Sequence, residues 1–243
     1  MHYFLIAFAA TTLGAIAGIG GGLIIRPILS VMAVGKSLTS FTSAATVFSM
    51  TSVNSLMGKL RGNTVHFRRI MFLSAGSIAG AFAGAYTLTF LDAYILNIAF
   101  IFVLLLVAVL IIFKNKIPSY NINSRLIVLA AGLFSGFLAG LFGIGGGPFY
   151  MTVLLFFFGR EPKQAAYEST FICFVTAIAT LTQYTINGYV DFSIAVYTIP
   201  GGILGGILGS FISKRLKEKH ILVLFCLVIM SVLINQIYAV LRV

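Results

Sequence analysis

Gly18-Ile19-Gly20-Gly21-Gly22 recurs unchanged as Gly143-Ile144-Gly145-Gly146-Gly147, 125 residues further along a 243-residue chain. The same shift aligns Val65-His66-Phe67 with Val190-Asp191-Phe192. It also brings Gly76, Gly80 and Gly84 onto Gly201, Gly205 and Gly209, and Phe100 onto Phe225. A repeat this long is a duplicated structural unit. The units are residues 1–113 and 126–243, joined by residues 114–125.

Each glycine run sits inside apolar sequence. The chain is 60% apolar and 9% charged, against about 45–50% and 25% for soluble domains. Stretches of about 20 apolar residues, each long enough to span a bilayer, follow one another almost without pause. The bilayer is therefore the expected solvent. The formal charge of +11 does not imply nucleic acid, because Lys and Arg cluster in the short gaps, where they set topology and meet lipid headgroups. The start, Met1-His2-Tyr3-Phe4-Leu5, lacks the basic region and cleavage site of a secretory signal and is expected in the mature protein. Cys173 and Cys226 lie in apolar stretches and form no disulfide or zinc framework, so no metal or other cofactor is expected.

Within each unit the apolar elements fall at about 3–18, 23–35, 38–58, 70–90 and 93–113, and at about 126–142, 148–158, 165–186, 193–212 and 220–241. The second element of each unit is too short to cross alone and follows a glycine run that ends the first helix. Each unit should thus open with a V-shaped pair, a helix, a break and a half-helix, and continue with three transmembrane helices. Lys59, Arg61, Arg68 and Arg69 precede the fourth element of the first unit, whereas the matching turn of the second has only Asp191. Conversely, Lys214, Arg215, Lys217 and Lys219 precede the last element, where the first unit has Asp92. If basic loops are cytoplasmic, Lys114, Lys116 and Arg125 included, the fold is an all-α integral membrane protein of two inverted repeats in the bacterial inner membrane. Both termini are then periplasmic.

Irregular backbone at membrane depth is tolerated only where protein buries it or it lines a watery cavity. Two equivalent breaks in inverted units should meet near the centre, the usual position of a transporter site. Half-helices beginning after Gly22 and Gly147 would aim positive dipole ends there, favouring an anion. Pro148 suits a first helical turn. Gly76, Gly80, Gly84 and their partners, spaced by four, read instead as close helix packing. The expected substrate-binding residues are Gly20, Gly21, Gly22, Gly145, Gly146 and Gly147, with Arg26 either pairing with the anion or snorkelling to the surface. They are joined by Thr46 and Ser49 in the first unit and by Ser169, Thr170, Cys173, Thr176 and Gln183 in the second. Thr46 and Ser49, and Ser169, Cys173, Thr176 and Gln183, belong to polar stripes on single helical faces that line a path or fill an interface.

No carboxylate pair marks a proton relay. Glu168 lies near the membrane edge of its helix, and Asp92, Glu161, Asp191 and Glu218 read as loop residues. An intramembrane enzyme would need clustered catalytic groups, and His2, His66 and His220 are scattered, so the reading is not an enzyme. A carrier or a passive channel for a small anion fits the charge inventory, and oligomeric state is open.

The two glycine motifs, the first followed by Pro27 and the second preceded by Gly140-Leu141-Phe142, resemble the TauE/SafE sulfite exporter family over nearly the whole chain. The resemblance implies a permease of about eight helices for sulfite, sulfonates, thiosulfate or related anions, exported or taken up. A sulfur-relay role for Cys173 in thiosulfate uptake follows as a subsidiary expectation. The proline usual five residues after the last glycine is kept as Pro27, while Thr152 holds that place in the second unit.

Overall fold

The computed structural model describes residues 1–32, 34–60, 67–113 and 124–241. Ten α-helices occur among them: α1 (His2–Ala17), α2 (Gly22–Val31), α3 (Lys36–Leu60), α4 (Phe67–Thr87), α5 (Ala93–Ile112), α6 (Arg125–Phe142), α7 (Gly147–Phe156), α8 (Pro162–Ile186), α9 (Phe192–Arg215) and α10 (Glu218–Leu241). Their order and approximate bounds follow the expected elements. Arg61, His66, Lys114 and Lys116 lie outside the described residues, as does most of the joint.

Six segments, spanning most of α4, α5, α6, α8, α9 and α10, are long and apolar enough to cross a membrane. α3 has the length, at 25 residues, but its Ser and Thr content keeps it out of that set. α2 and α7 have only 10 residues each, the length of half a span. The breaks form as their glycines dictate. α1 stops at Gly18 (φ 71°) and α6 at Gly143 (φ 64°), both in the left-handed conformation, which costs L-residues about 1–2 kcal/mol.

Helices of one half pack mainly on helices of the other. α1 lies along α9, and its counterpart α6 lies along α9's counterpart α4. A Cβ at Gly76, Gly80 or Gly84 would fall 2.0–2.2 Å from the carbonyl oxygens of Leu129, Leu133 and Phe137. Gly132, Gly136 and Gly140 face Leu73, Ser77 and Ala81 in the same way, at 2.2 Å. Backbone therefore touches backbone, as the four-residue spacing suggested, and the rising register makes α4 and α6 parallel. Gly201, Gly205 and Gly209 meet Phe4, Phe8 and Thr12 in turn, so α1 and α9 are parallel too.

One end of the bundle gathers the end of α3, the start of α8 and the end of α9 around Gly58, Lys163 and Lys214. The starts of α4 and α6 lie side by side, with the Arg125 guanidinium 5.7 Å from the Phe72 ring. Arg69 reaches the Phe158 ring, in the loop leading to α8, at 5.9 Å. This is the basic end. At the opposite end Lys36 donates to the Leu91 carbonyl (2.8 Å), and Asn187 donates to the Ala85 carbonyl (3.1 Å). The acidic residues Asp92, Glu161 and Asp191 are N-caps of α5, α8 and α9, where helix dipoles favour negative charge. The Ser193 amide, 2.8 Å from Asp191 Oδ1, holds that carboxyl below its usual range.

Candidate functional site

The two breaks lie against each other. A Cβ at Gly147 would fall 2.1 Å from the Ile19 carbonyl oxygen, and one at Gly22 would fall 2.9 Å from Ile144 Cα. Val47 of α3 is the shared neighbour, within 2.4–3.5 Å of the Cβ positions of Gly20, Gly22 and Gly145. Residues 14–22 and 138–156 are buried throughout. The backbone of one half thus fills the notch opened by the other. The runs are alike but not identical: Gly20, Gly145 and Gly146 have φ of 69°, 77° and 77°, whereas Gly21 is right-handed (φ −66°). The N-terminal turns of α2 and α7, whose first amides have no intrahelical acceptor, begin at this contact. The Ser169 hydroxyl donates to the Gly18 carbonyl (2.5 Å), and Ser43 donates to that of Gly22 (3.4 Å).

Arg26 points inward, where the sequence left either an anion or the membrane surface as its target. It is 4% exposed and donates to the Phe142 carbonyl, the last residue of α6. Its guanidinium lies 5.2 Å from the Phe142 ring and 5.5 Å from that of Phe100. A cation at a helix C-terminus complements the dipole, and the rings add cation–π attraction. Arg26 therefore ties the first half-helix to the helix that ends at the second break.

The polar stripes are packed between helices. Thr46 donates to Thr198 Oγ1 (2.7 Å), and Ser49 donates to the Thr46 carbonyl (2.8 Å). Both line the contact with α9, where a Cβ on Gly202 would lie 2.6 Å from Ser49 Oγ. Thr170 accepts from Asn54 Nδ2 (3.3 Å), Thr176 pairs with the Tyr150 hydroxyl (2.9 Å), and Cys173 is a fully buried free thiol. Gln183 stands apart, half-buried at the end of α8 and donating to Asn187 Oδ1 (2.9 Å). Glu168, expected near the membrane edge, is wholly buried, with Arg160 Nε 3.2 Å away. Thr152 donates to the Pro148 carbonyl (2.7 Å), whereas Pro27 has no amide to offer Leu23.

Several residues that the motifs did not single out pack against the breaks and stripes: Val47, Asn54, Thr198 and Tyr150, and Tyr184, whose hydroxyl donates to the Gly140 carbonyl (2.6 Å). A polar Asn54 buried in the 25-residue α3 was a readable signal. The tyrosines carried none, because their partners lie on other elements.

The family model described as "Sulfite exporter TauE/SafE" matches residues 3–235. The chain is 25% identical to the probable membrane transporter protein YunE of Bacillus subtilis, over 94% of each chain. It is 29% identical to a probable membrane transporter protein of Xylella fastidiosa, over 96% of this chain and 92% of that one. A further B. subtilis relative, the probable membrane transporter protein YjnA, is 25% identical over 84% and 86% of the two chains. No solved structure matches. With its apolar spanning helices, the chain belongs to the TauE/SafE sulfite exporter family and is a multi-pass membrane transporter.

Proposed function

We propose that the protein is a carrier that exports a small sulfur-containing anion, of the sulfite, thiosulfate or sulfonate class, across the bacterial inner membrane. The observation that carries this reading is the contact between the two glycine breaks, at which α2 and α7 both begin. Two half-helix N-termini directed at one region of buried backbone favour negative charge. The sulfur chemistry comes from the family description.

Inversion of the two halves is part of the proposal. It is supported by the gathering at one end of Arg69, at the start of α4, and Lys214, at the end of its counterpart α9, together with Arg125 and Lys163. By the positive-inside rule that end is cytoplasmic, and both termini are periplasmic. The tight contact between breaks favours a carrier over an open channel, since the halves must move to admit a ligand. Outward movement needs no coupling ion: an inside-negative potential drives a monovalent anion out with about 2.3 kcal/mol per 100 mV.

In this reading Gly20–Gly22 and Gly145–Gly147 supply backbone amides, while Ser169, Thr170, Cys173, Thr176, Thr46 and Ser49 border the space that opens. Arg26 holds the α6 end in place. A ligand that binds the folded state stabilises it, by about 2.7 kcal/mol at a concentration 100 times Kd. Purified protein in detergent should therefore melt at a higher temperature with sulfite, thiosulfate or a small sulfonate than with equal ionic strength of chloride or phosphate. An equal melting temperature in all five salts would remove the sulfur-anion assignment.

A further inference from the structure

A cavity of about 300 Å³ opens at the basic end, lined by Ala15, Asn54, Lys163, Tyr167, Ser210 and Lys214 among others, with no carboxylate among the described residues that line it. Its inner wall is the first break. Ala15 lies one turn before Gly18, and Ala166, also in the lining, approaches so closely that a Cβ on Gly18 would fall 2.3 Å from its Cα. Tyr167 packs against Gly58, where an added Cβ would meet the ring at 1.9 Å. Asn54 also donates to Thr170, the neighbour of Ser169 (3.3 Å). At the mouth, Lys163 Nζ lies 3.0 Å from the Lys214 carbonyl.

The 125-residue shift carries Ala15, and in reverse Ser210 and Ser213, onto Gly140, Ala85 and Leu88 at the other end of the molecule. There the backbone carbonyls of all three are covered by side chains. Tyr184 donates to Gly140 (2.6 Å), Asn187 to Ala85 (3.1 Å), and Lys36 approaches Leu88 at 3.5 Å while bonding Leu91 at 2.8 Å. The three positions that line a cavity at the basic end are covered at the other, where a separate space of about 680 Å³ lies between α3, α8 and α9 against mainly apolar side chains such as Phe41, Phe48, Leu181 and Ile199.

We propose that the cavity is an anion vestibule, with Lys163 and Lys214 drawing a small oxoanion or sulfonate toward Gly18, and that Tyr184, Asn187 and Lys36 close the equivalent position at the other end. The vestibule deepens the anion-transport reading and rests on it for its ligand class. Two lysines at a concave mouth with no acid in the lining concentrate anions and speed their arrival. Tyr184, Asn187 and Lys36 are neutral or cationic groups bound to carbonyls, and they must release those carbonyls for the opposite end to open.

The test is thiol accessibility in purified protein, with a sulfonate-bearing methanethiosulfonate reagent and its trimethylammonium analogue. Each rate is divided by that with a free thiol, and the wild-type chain, with Cys173 and Cys226, gives the background. At Ser210→Cys the anionic reagent should be favoured about tenfold or more, Lys163→Gln with Lys214→Gln should abolish the preference, and arginine at both positions should keep it. Ala85→Cys, in protein that elutes as the wild type does, should stay unreactive until denatured. Equal normalised rates at Ser210→Cys, a preference that survives loss of both lysines, or a reactive Ala85→Cys in folded protein would each overturn the proposal. Labelling needs no transport. A lysine-dependent preference in a protein that moves no anion would uphold the vestibule and remove the transport reading, whereas anion flux without the preference would do the reverse.

Discussion

Gly20 and Gly147 sit in the same buried contact, yet a methyl group meets different obstacles at each. At Gly20 the nearest atom to an added Cβ is 3.5 Å away, and only the positive φ of 69° opposes it, so Gly20→Ala should cost about 1 kcal/mol. At Gly147 the obstacle is Ile19 backbone at 2.1 Å, which cannot rotate aside. Gly147→Ala should therefore destabilise more, by about 2–3 kcal/mol, seen as the larger fall in melting temperature in detergent. Equal falls would mean that the breaks do not touch as described. Arg26→Ala should lose about 2 kcal/mol with the charged hydrogen bond to Phe142, and Arg26→Lys should recover part of it, since an ammonium keeps the charge but not the planar stacking. The glycine runs were legible because consecutive glycines break a helix wherever they stand. Arg26 was not, because its partner is the end of a helix 116 residues away and no local pattern encodes that neighbour.

Helix pairing depends on rows of small residues, and here the substitution series has an internal control. Gly80→Val would press a branched side chain into the Leu133 carbonyl, 2.0 Å from the Cβ position, forcing α4 from α6. Overpacking of this kind costs about 1–3 kcal/mol. Gly35→Ala meets nothing within 4 Å and should leave the melting temperature unchanged. A Gly80→Val protein as stable as Gly35→Ala would show that α4 and α6 are not in backbone contact. The spacing of Gly76, Gly80 and Gly84 revealed a packing face, but not that its partner is α6, because that pairing crosses from one half to the other. The stripes on α3 and α8 show the limit of periodicity from the other side. It put Thr46, Ser49, Ser169 and Thr176 on single faces, and only the packed helices distinguish a hydrogen-bonded interface from an open path in this state.

At the scale of the molecule, duplication and membrane class could be read from the glycine motifs, the apolar runs and the placement of charge, since each is a property of the chain itself. The exchange of partners between halves, and the difference between an open and a filled end, arise only when the halves are packed. The proposed orientation predicts that a cysteine replacing Lys217 reacts with an impermeant reagent only from the cytoplasmic side, and one replacing the exposed Gly188 only from the periplasmic side. The opposite pattern would invert the whole assignment. Transport itself is tested most directly by flux of radiolabelled sulfite, thiosulfate and a small sulfonate in proteoliposomes, with chloride and phosphate as controls and a potential of either sign. Saturable movement of one sulfur anion toward the positive side, accelerated by unlabelled anion across the membrane, is the result expected of the carrier. Unsaturable conductance would contradict it in favour of a channel, and the absence of flux for every sulfur anion would contradict the proposed cargo.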